Sequence, residues 1–347
     1  MTILKNCNIL YLGNFLSGVS KTPSPNVIIV DLLKSFYIVR CASTFYFPML
    51  RFFSMVFKTL TLKFHSNPII IIDVFSTSAF WFAFINNELA KILKIPTILV
   101  LHGGNLPFRF KTSPKLSKRL LLNAKSIVSP SNYLKSHAQN LSDKNVTVIN
   151  NPIIFNEYPF FQKTYGGIHL LWVRSFHQIY RPEMAIEVCR LLKVSWPKLQ
   201  ITMIGPDKDG SLLKVQKLAD EYNLSSQLHL KGYMSKSDWI KESKSANIFI
   251  NTTSIDNTPV SVIEALALGF PVVSTNVGGI PYLLQHDENA ILIDDGDVGA
   301  MVSAIERIMS DSELRDMLIR NGRALATQMD IRIIMEKWKV VINEVVS

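Results

Sequence analysis

Short blocks of consecutive β-branched and aliphatic residues recur along this chain, separated by stretches whose apolar positions repeat at helical spacing. Residues 7–13, 68–74, 96–104, 124–129 and 146–150 read as strands in the first half, and residues 168–174, 199–205, 229–232, 246–252, 271–275 and 290–294 in the second. The blocks are apolar without alternation, Ile69-Ile70-Ile71-Ile72 most clearly, which is the pattern of parallel strands covered on both faces. Strands alternating with helices predict an α/β architecture of doubly wound parallel sheets. The rhythm breaks after Asn150-Asn151-Pro152, and residues 153–167 lack periodicity and end in Gly166-Gly167, so the interdomain linker is placed there. The expected division is a first domain at 1–155, a second at 165–330 and a C-terminal helix at 331–347. That helix, with Trp338, Val341 and Ile342 on one face, is a candidate to cross back to the first domain.

Composition supports this division. A chain of 347 residues suits two domains of roughly 150 residues each. A hydrophobic share of 48% excludes disorder. Cys7, Cys41 and Cys189 are too few and too scattered for a disulfide framework or a zinc site, so a reducing cytosol is the expected compartment. The most apolar stretch, residues 69–85, is interrupted by Asp73 and reads as a buried strand rather than a spanning helix, and Asn6, Cys7 and Asn8 break the only candidate export leader.

The net charge of +10 is compatible with nucleic acid, anionic lipid or a phosphorylated ligand. Its distribution narrows the choice. Arg51, Lys58, Lys63, Lys91, Lys94, Lys111, Lys115, Lys118 and Arg119 crowd the first half among aromatic and aliphatic residues, which favours a membrane surface over nucleic acid. From Pro48 to Phe64 the pattern is that of a basic amphipathic helix suited to a bilayer interface; the opposing reading is a core helix with solvated lysines.

The most informative run is Asp256-Asn257-Thr258-Pro259-Val260-Ser261-Val262-Ile263-Glu264, two carboxylates eight positions apart across a loop-to-helix junction. Pro259 suits the first helical turn and Asn257 or Thr258 can cap it, so backbone N–H groups point outward beside both acids, a corner able to hold a sugar diphosphate. The bland alternative is a capping box, Ser261 to Glu264, in which the acid only closes a helix start. Two near misses define the remainder. Gly205 to Ser211 has P-loop glycine spacing without the lysine, and no G-x-G-x-x-G occurs, so ATP hydrolysis and hydride transfer lose support. Asp207-Lys208-Asp209 and Asp295-Gly296-Asp297 have the spacing of metal-binding carboxylate pairs, which loops also produce readily.

The run from Asp256 to Glu264 resembles the E-x7-E region of family-4 glycosyltransferases, with Asp256 in place of the first Glu, and the likeness extends from about Leu170 to Ile308. That resemblance implies the GT-B fold, two Rossmann-like doubly wound domains facing a cleft, and a retaining, metal-independent glycosyltransferase with no cofactor besides a nucleotide-diphosphate sugar as co-substrate. It implies Asp256 at the donor sugar, Glu264 on the ribose, and the segment Asn257, Thr258, Pro259 and Val260, with its free backbone amides, around sugar and phosphate. Gly205 resembles the family's strand-end glycine, and Gly232 and Tyr233 resemble the segment along the nucleobase. Arg174 stands where the family places an arginine on the diphosphate, and Arg181 is the candidate for the second cation, although the family's lysine position falls on Tyr180. His102, followed by Gly103 and Gly104, resembles the site beside the transferring sugar, while Gly13 and Gly18 flank the expected glycine loop. Ser129 and Ser131 resemble a serine turn of the family, and Gly278-Gly279 its paired-glycine loop. The expected partners are a nucleotide-sugar donor, a glycan or lipid-linked acceptor and an anionic membrane at the inner face, with no nucleic acid. The rivals are a nucleotide-sugar 2-epimerase of similar architecture and a non-catalytic glycan- or membrane-binding relative.

Overall fold

The computed structural model describes residues 7–13, 15, 25–42, 45 and 47–346; Gly18 lies outside them. The chain divides into two compact units, residues 1–152 with 331–347, and residues 153–330. Each is built on a six-stranded, wholly parallel sheet. In the first unit the strands are β1 (Asn8–Leu12), β2 (Ile38–Ala42), β3 (Pro68–Val74), β4 (Thr97–Leu101), β5 (Ser126–Ser129) and β6 (Thr147–Val148), ordered β2-β1-β3-β4-β5-β6. Helices α1 (Pro25–Lys34), α2 (Pro48–Leu62), α3 (Ala79–Ile92), α4 (Leu106–Thr112), α5 (Pro114–Asn123) and α6 (Asn132–Ser142) connect them. In the second unit β7 (His169–Val173), β8 (Gln200–Ile204), β9 (Leu228–Gly232), β10 (Ile248–Asn251), β11 (Val272–Thr275) and β12 (Ile291–Ile293) are ordered β12-β11-β10-β7-β8-β9. Their helices are α7 (Pro182–Ser195), α8 (Ser211–Glu221), α9 (Lys236–Glu242), α10 (Val260–Ala267), α11 (Val298–Ser310) and α12 (Ser312–Thr327).

The apolar blocks form the strands because both faces of each sheet are covered. Ile69 to Val74 are all buried, and so are all five residues of β1 and of β4. β2 escapes the sequence reading: it is an edge strand in which exposed and partly buried residues alternate, so no apolar block marks it. In each sheet the connections change direction at one place, between β1 and β3 and between β7 and β10. Ligands of open parallel sheets bind outside the carboxyl ends of strands at such points.

One boundary differs from the sequence expectation. Residues 153–167, placed as a linker, are packed into the second unit: Ile153 and Tyr158 are buried, and Ile153 N–H donates to the Met329 carbonyl at 2.9 Å. The last helix, α13 (Ile331–Val346), belongs to the first unit, the return to that domain for which its apolar face made it a candidate. Ile334, Met335, Trp338, Val341, Ile342 and Val345 form one stripe along it and bury against the cluster of Ile9, Tyr11, Ile29, Leu33 and Ile71.

α2 has the inverse problem. Only Met55, Thr59 and Leu62 are buried, while Phe53 and Phe57 are 59% and 66% exposed and Met49, Leu50 and Leu60 are exposed beside them. Its solvent face is therefore aromatic and aliphatic, which is incompatible with a core helix whose only exposed residues are lysines.

Replacing Trp338 by Ala removes a large side chain that is 1% exposed. Such core truncations cost about 3–5 kcal/mol, so urea unfolding of Trp338→Ala is expected to show a transition of the first unit shifted by that amount. An unshifted transition means that α13 does not carry this packing.

Candidate functional site

The loop from Thr252 to Pro259, between β10 and α10, is pinned against the turn that follows β7. Thr252 Oγ1 donates to the Tyr180 carbonyl at 2.7 Å and accepts from Trp172 Nε1 at 3.0 Å. Thr253 Oγ1 donates to the Ile255 carbonyl at 2.8 Å, and its own carbonyl accepts from Thr275 Oγ1 at 2.6 Å. These bonds place Asp256 at the carboxyl ends of β7 and β10, where the strand order reverses.

There Asp256 forms an ion pair with the Arg174 guanidinium. Asp256 Oδ1 also accepts from the Asn257 amide at 2.8 Å, and the Arg174 guanidinium carbon lies 4.5 Å from the centre of the Tyr180 ring. Burial pulls the pKa of Arg174 below its ordinary value, since desolvation penalises the charged form. The surrounding backbone is crowded enough to require glycine. A Cβ on Gly205 would overlap the Arg174 carbonyl, and Cβ atoms on Gly278 and Gly279 would overlap the carbonyls of Asp256 and Asn257. The Gly279 amide donates to the Asp256 carbonyl at 2.8 Å, so the close neighbour of the glycine pair is this peptide segment. Gly205 in turn donates to the Gly232 carbonyl at 2.8 Å, which brings the β8 and β9 ends, and with them Tyr233, to the same edge of the sheet.

The junction differs in detail from the sequence expectation. Pro259, with φ −69° and ψ 115°, is itself the N-cap and makes no side-chain cap, and the helix begins at Val260. The first helical bonds reach back from Val262 and Ile263 to the Pro259 carbonyl, so the amides of Val260 and Ser261 precede the first closed turn. Glu264 is 7% exposed and does not close a capping box. Its Oε1 accepts from the Tyr158 hydroxyl at 2.6 Å and from Lys236 Nζ at 3.0 Å. Burial, reinforced by the Glu264 carboxylate, pushes the Tyr158 phenol well above its ordinary pKa and keeps it a donor.

Arg181 is not brought to this corner. It holds φ +44° and forms a two-pronged pair with Asp295 at 2.6 and 3.1 Å. The other acids of the D-x-D motifs are also engaged. Asp207 accepts from the Gly210 amide and Asp209 from the Ser211 amide and hydroxyl and the Gln178 amide, which lowers the Asp209 pKa to about 2, led by the Ser211 hydroxyl bond. Asp297 caps α11 through the Ala300 amide. Among the described residues no group of three or more His, Cys, Asp or Glu side chains is arranged to hold a metal ion.

In the first unit His102 follows β4, and its Nε2 lies 2.9 Å from Asp73 Oδ1. Asp73 is a buried carboxylate in a central strand. Its oxygens also accept from the Tyr11 hydroxyl at 3.0 Å and from Asn26 Nδ2. A carboxylate acceptor places a proton on Nε2 and leaves Nδ1 as the ring nitrogen free to face other partners. The Phe75 ring stacks on the imidazole at 5.2 Å. Gly13 makes room for this arrangement, because a Cβ there would overlap Asp73 Oδ2. Gly103 adopts φ +86° with open space around it. A cavity of 240 Å³ lies between α2 and α3, with Gly13 and Asp73 on its floor and Arg51, Met55 and Phe82 in its walls. Ser129 and Ser131 make a structural turn: Ser131 caps α6 and Ser129 bonds the Ser131 carbonyl.

The sequence reading assigns no role to Tyr158, Lys236 or Asp73. Asp73 did carry a signal, a lone charge within an isoleucine run. Tyr158 lies in the aperiodic stretch and Lys236 in a capped surface helix, and neither pattern is informative.

Residues 162–325 match the sequence model of the glycosyl transferases group 1 family. The chain is similar to an uncharacterized glycosyltransferase of Haemophilus influenzae, 24% identical over 44% of this chain and 43% of that one. It is also similar to the amylovoran biosynthesis glycosyltransferase AmsK of Erwinia amylovora, 32% identical over 36% of this chain and 32% of that one. A third relative, the lipopolysaccharide core biosynthesis glycosyltransferase LpsE of Rhizobium meliloti, is 27% identical over 36% of each chain. The matched region thus spans less than half of each of these relatives. Among solved structures, HepE of Anabaena in complex with UDP superimposes with a TM-score of 0.78 at 14% identity over 97% of this chain and 99% of that one. Sucrose-phosphate synthase of Thermosynechococcus elongatus gives 0.80 at 16% identity over 97% and 98%. The fold is therefore that of the GT-B class, with two Rossmann-like domains.

Hydrogen bonds to charged groups contribute about 1.5–3 kcal/mol. Tyr158→Phe is expected to lower the denaturant stability of the second unit by that amount. An unchanged midpoint would show that the hydroxyl does not anchor Glu264 in solution.

Proposed function

We propose that the protein is a retaining, metal-independent glycosyltransferase that moves a sugar from a nucleotide-diphosphate sugar to a glycan or lipid-linked acceptor, in the assembly of cell-surface polysaccharide or lipopolysaccharide. The observation that carries this reading is the corner formed by Arg174, Asp256, Glu264 and the start of α10. It lies at the strand-order reversal and within the region matched by the family. The names of AmsK and LpsE and the UDP bound to HepE point the same way.

In this reading Arg174 and the amides at the start of α10 take the donor diphosphate, whose charge grows as the glycosidic bond breaks. Preformed cations and dipoles do this without reorganising, which is the role that a metal fills elsewhere. Glu264 holds Tyr158 and Lys236 with Oε1 and offers Oε2 to a ribose hydroxyl. Gly232 and Tyr233 line the base, and Asp256 keeps the guanidinium in register beside the sugar. Both acids are tied up by cations or donors, so neither is a free nucleophile of the kind a double-displacement hydrolase needs. The acceptor hydroxyl instead loses its proton to the departing diphosphate on the face that it vacates, and configuration is retained. His102, fixed by Asp73, accepts a sugar hydroxyl at Nδ1.

The enzyme is further proposed to work at the inner membrane face. Residues 1–152 carry 17 Lys and Arg against 4 Asp and Glu, whereas residues 153–330 carry 17 against 21. The excess positive charge coincides with the exposed Phe53 and Phe57 of α2 and with Trp81 on α3. Such a surface suits anionic lipid, where each Lys or Arg contributes about 1 kcal/mol. Among the described residues no helix is long and apolar enough to cross a bilayer.

Calorimetric titration with UDP and GDP sugars tests the donor site. Glu264→Ala is expected to weaken donor binding about 10–100-fold, the equivalent of one or two lost polar contacts at about 1.4 kcal/mol per tenfold. Unchanged affinity removes Glu264 from the ribose. Product analysis then separates transfer with retention, unaffected by a chelator, from epimerisation of the donor and from binding without turnover. Sedimentation with phosphatidylglycerol vesicles is expected to capture the wild type in a salt-sensitive manner and to lose Phe53→Ser/Phe57→Ser, and equal recovery of both proteins would refute the membrane face.

A further inference from the structure

A cavity of 810 Å³ opens at the C-terminal end of α10, walled by Phe160, Lys163, Tyr165, Arg315, Arg320 and Arg323. Asp316 is the one acid in its lining. Elsewhere in this unit Arg174, Arg181, Lys231, Lys236 and Arg307 each pair with a carboxylate, and the unit as a whole has more acids than bases. The four cations here do not pair with any carboxylate among the described residues. Lys163 Nζ donates to the Ser243 carbonyl at 2.8 Å and lies 3.8 Å from the centre of the Phe270 ring. Arg315 donates to the Ile308 carbonyl at 3.0 Å with its guanidinium 4.1 Å from Tyr165, and Arg323 donates to the Ala267 carbonyl with its guanidinium 5.3 Å from Phe160. Aromatic faces and carbonyl oxygens hold these groups in place without neutralising them. Burial accordingly pushes the Lys163 ammonium down to about 7 and lowers Arg323 as well.

We propose that this cavity binds a phosphorylated small molecule, a phosphate monoester or diphosphate, with its anionic end among Lys163, Arg315, Arg320 and Arg323 and its body against Phe160 and Tyr165. Three guanidinium groups, a lysine whose charge an incoming anion restores, and one acid suit a ligand of two or three negative charges, and the guanidinium fork matches phosphate oxygens in pairs. The volume lies within the roughly 300–1,000 Å³ of small-molecule sites and exceeds what an inorganic anion needs.

The cavity also borders two segments that lead to Glu264, the C-terminal end of α10 and the stretch after Tyr158. α10 ends here: Arg323 holds the Ala267 carbonyl, and the Phe160 ring packs so closely on Gly269 that a Cβ would sit 2.5 Å from it. Two residues before Phe160, the Tyr158 hydroxyl holds the Glu264 carboxylate. An occupant that displaces Phe160 or Arg323 therefore shifts the anchor of Glu264, and affinities at the two sites become linked reciprocally. This linkage rests on the donor reading of Glu264, whereas binding in the cavity does not.

The test uses the full chain carrying Arg174→Gln, which weakens the donor corner, titrated calorimetrically with glucose 6-phosphate and with pyrophosphate. Binding is expected to persist in this variant and to fall at least tenfold on adding Arg320→Glu or Lys163→Met. Arg320 is exposed and makes no hydrogen bond or ion pair among the described residues, so its reversal leaves the fold contacts in place, which a thermal melt verifies. Loss of all binding in an Arg174→Gln protein that the same melt shows to be folded, or the same affinity after both cavity substitutions, overturns the proposal. In the protein with Arg174 intact, saturating glucose 6-phosphate is expected to shift the affinity for UDP at least threefold. If UDP binds with equal affinity in its presence, the linkage fails while the cavity stands. If UDP does not bind at all, the donor reading fails instead.

Discussion

A guanidinium buried beside a carboxylate constrains the whole corner of the second unit at the ends of β7 and β10. Arg174 and Asp256 come from loops 82 positions apart in the chain, and both are withdrawn from most of the solvent. Removing one partner of such a pair leaves a buried charge that costs about 3–5 kcal/mol, so the neighbouring backbone is committed to keeping them together. That commitment accounts for the glycines at 205, 278 and 279, which let three chain segments close around the pair. It also accounts for the threonine bonds that pin the loop after β10 to the turn carrying Tyr180.

Glu264 acts as a second organising point of a different kind. Its carboxylate joins three pieces of the unit: the residues before β7 through Tyr158, the first turn of α9 through Lys236, and α10 itself. A group with this many supports is held in one rotamer. Residues 158–163 run from the Tyr158 contact with Glu264 to the cation-lined cavity beyond the other end of α10.

The first unit distributes its charge differently. Its buried polar centre is Asp73, a single carboxylate satisfied by Tyr11, Asn26 and His102 at the point where the strand order reverses. Its surface carries an excess of basic residues together with exposed phenylalanines on α2. Apolar side chains left in water cost free energy unless another phase covers them. Lysines and arginines share that unit with them, so its surface combines exposed aromatic side chains with excess positive charge.

The α/β class, the two parallel sheets and most of the strands were legible in the sequence, because strands covered on both faces must be apolar along their whole length. The junction from Asp256 to Glu264 was legible for a related reason: a loop, a proline and a helix start are local features. Side-chain partners are not local. Arg181 meets Asp295 across 114 positions and Glu264 meets Tyr158 across 106, so only the folded chain could remove Arg181 from the corner and add Tyr158 and Lys236. β2 was missed because an edge strand exposed on alternate residues has no apolar run, and residues 153–167 looked like a linker because an extended segment needs no periodicity to be packed. Composition and periodicity determined which segments had to be buried; tertiary structure decided which charges would meet, because that depends on contacts between segments far apart in the chain.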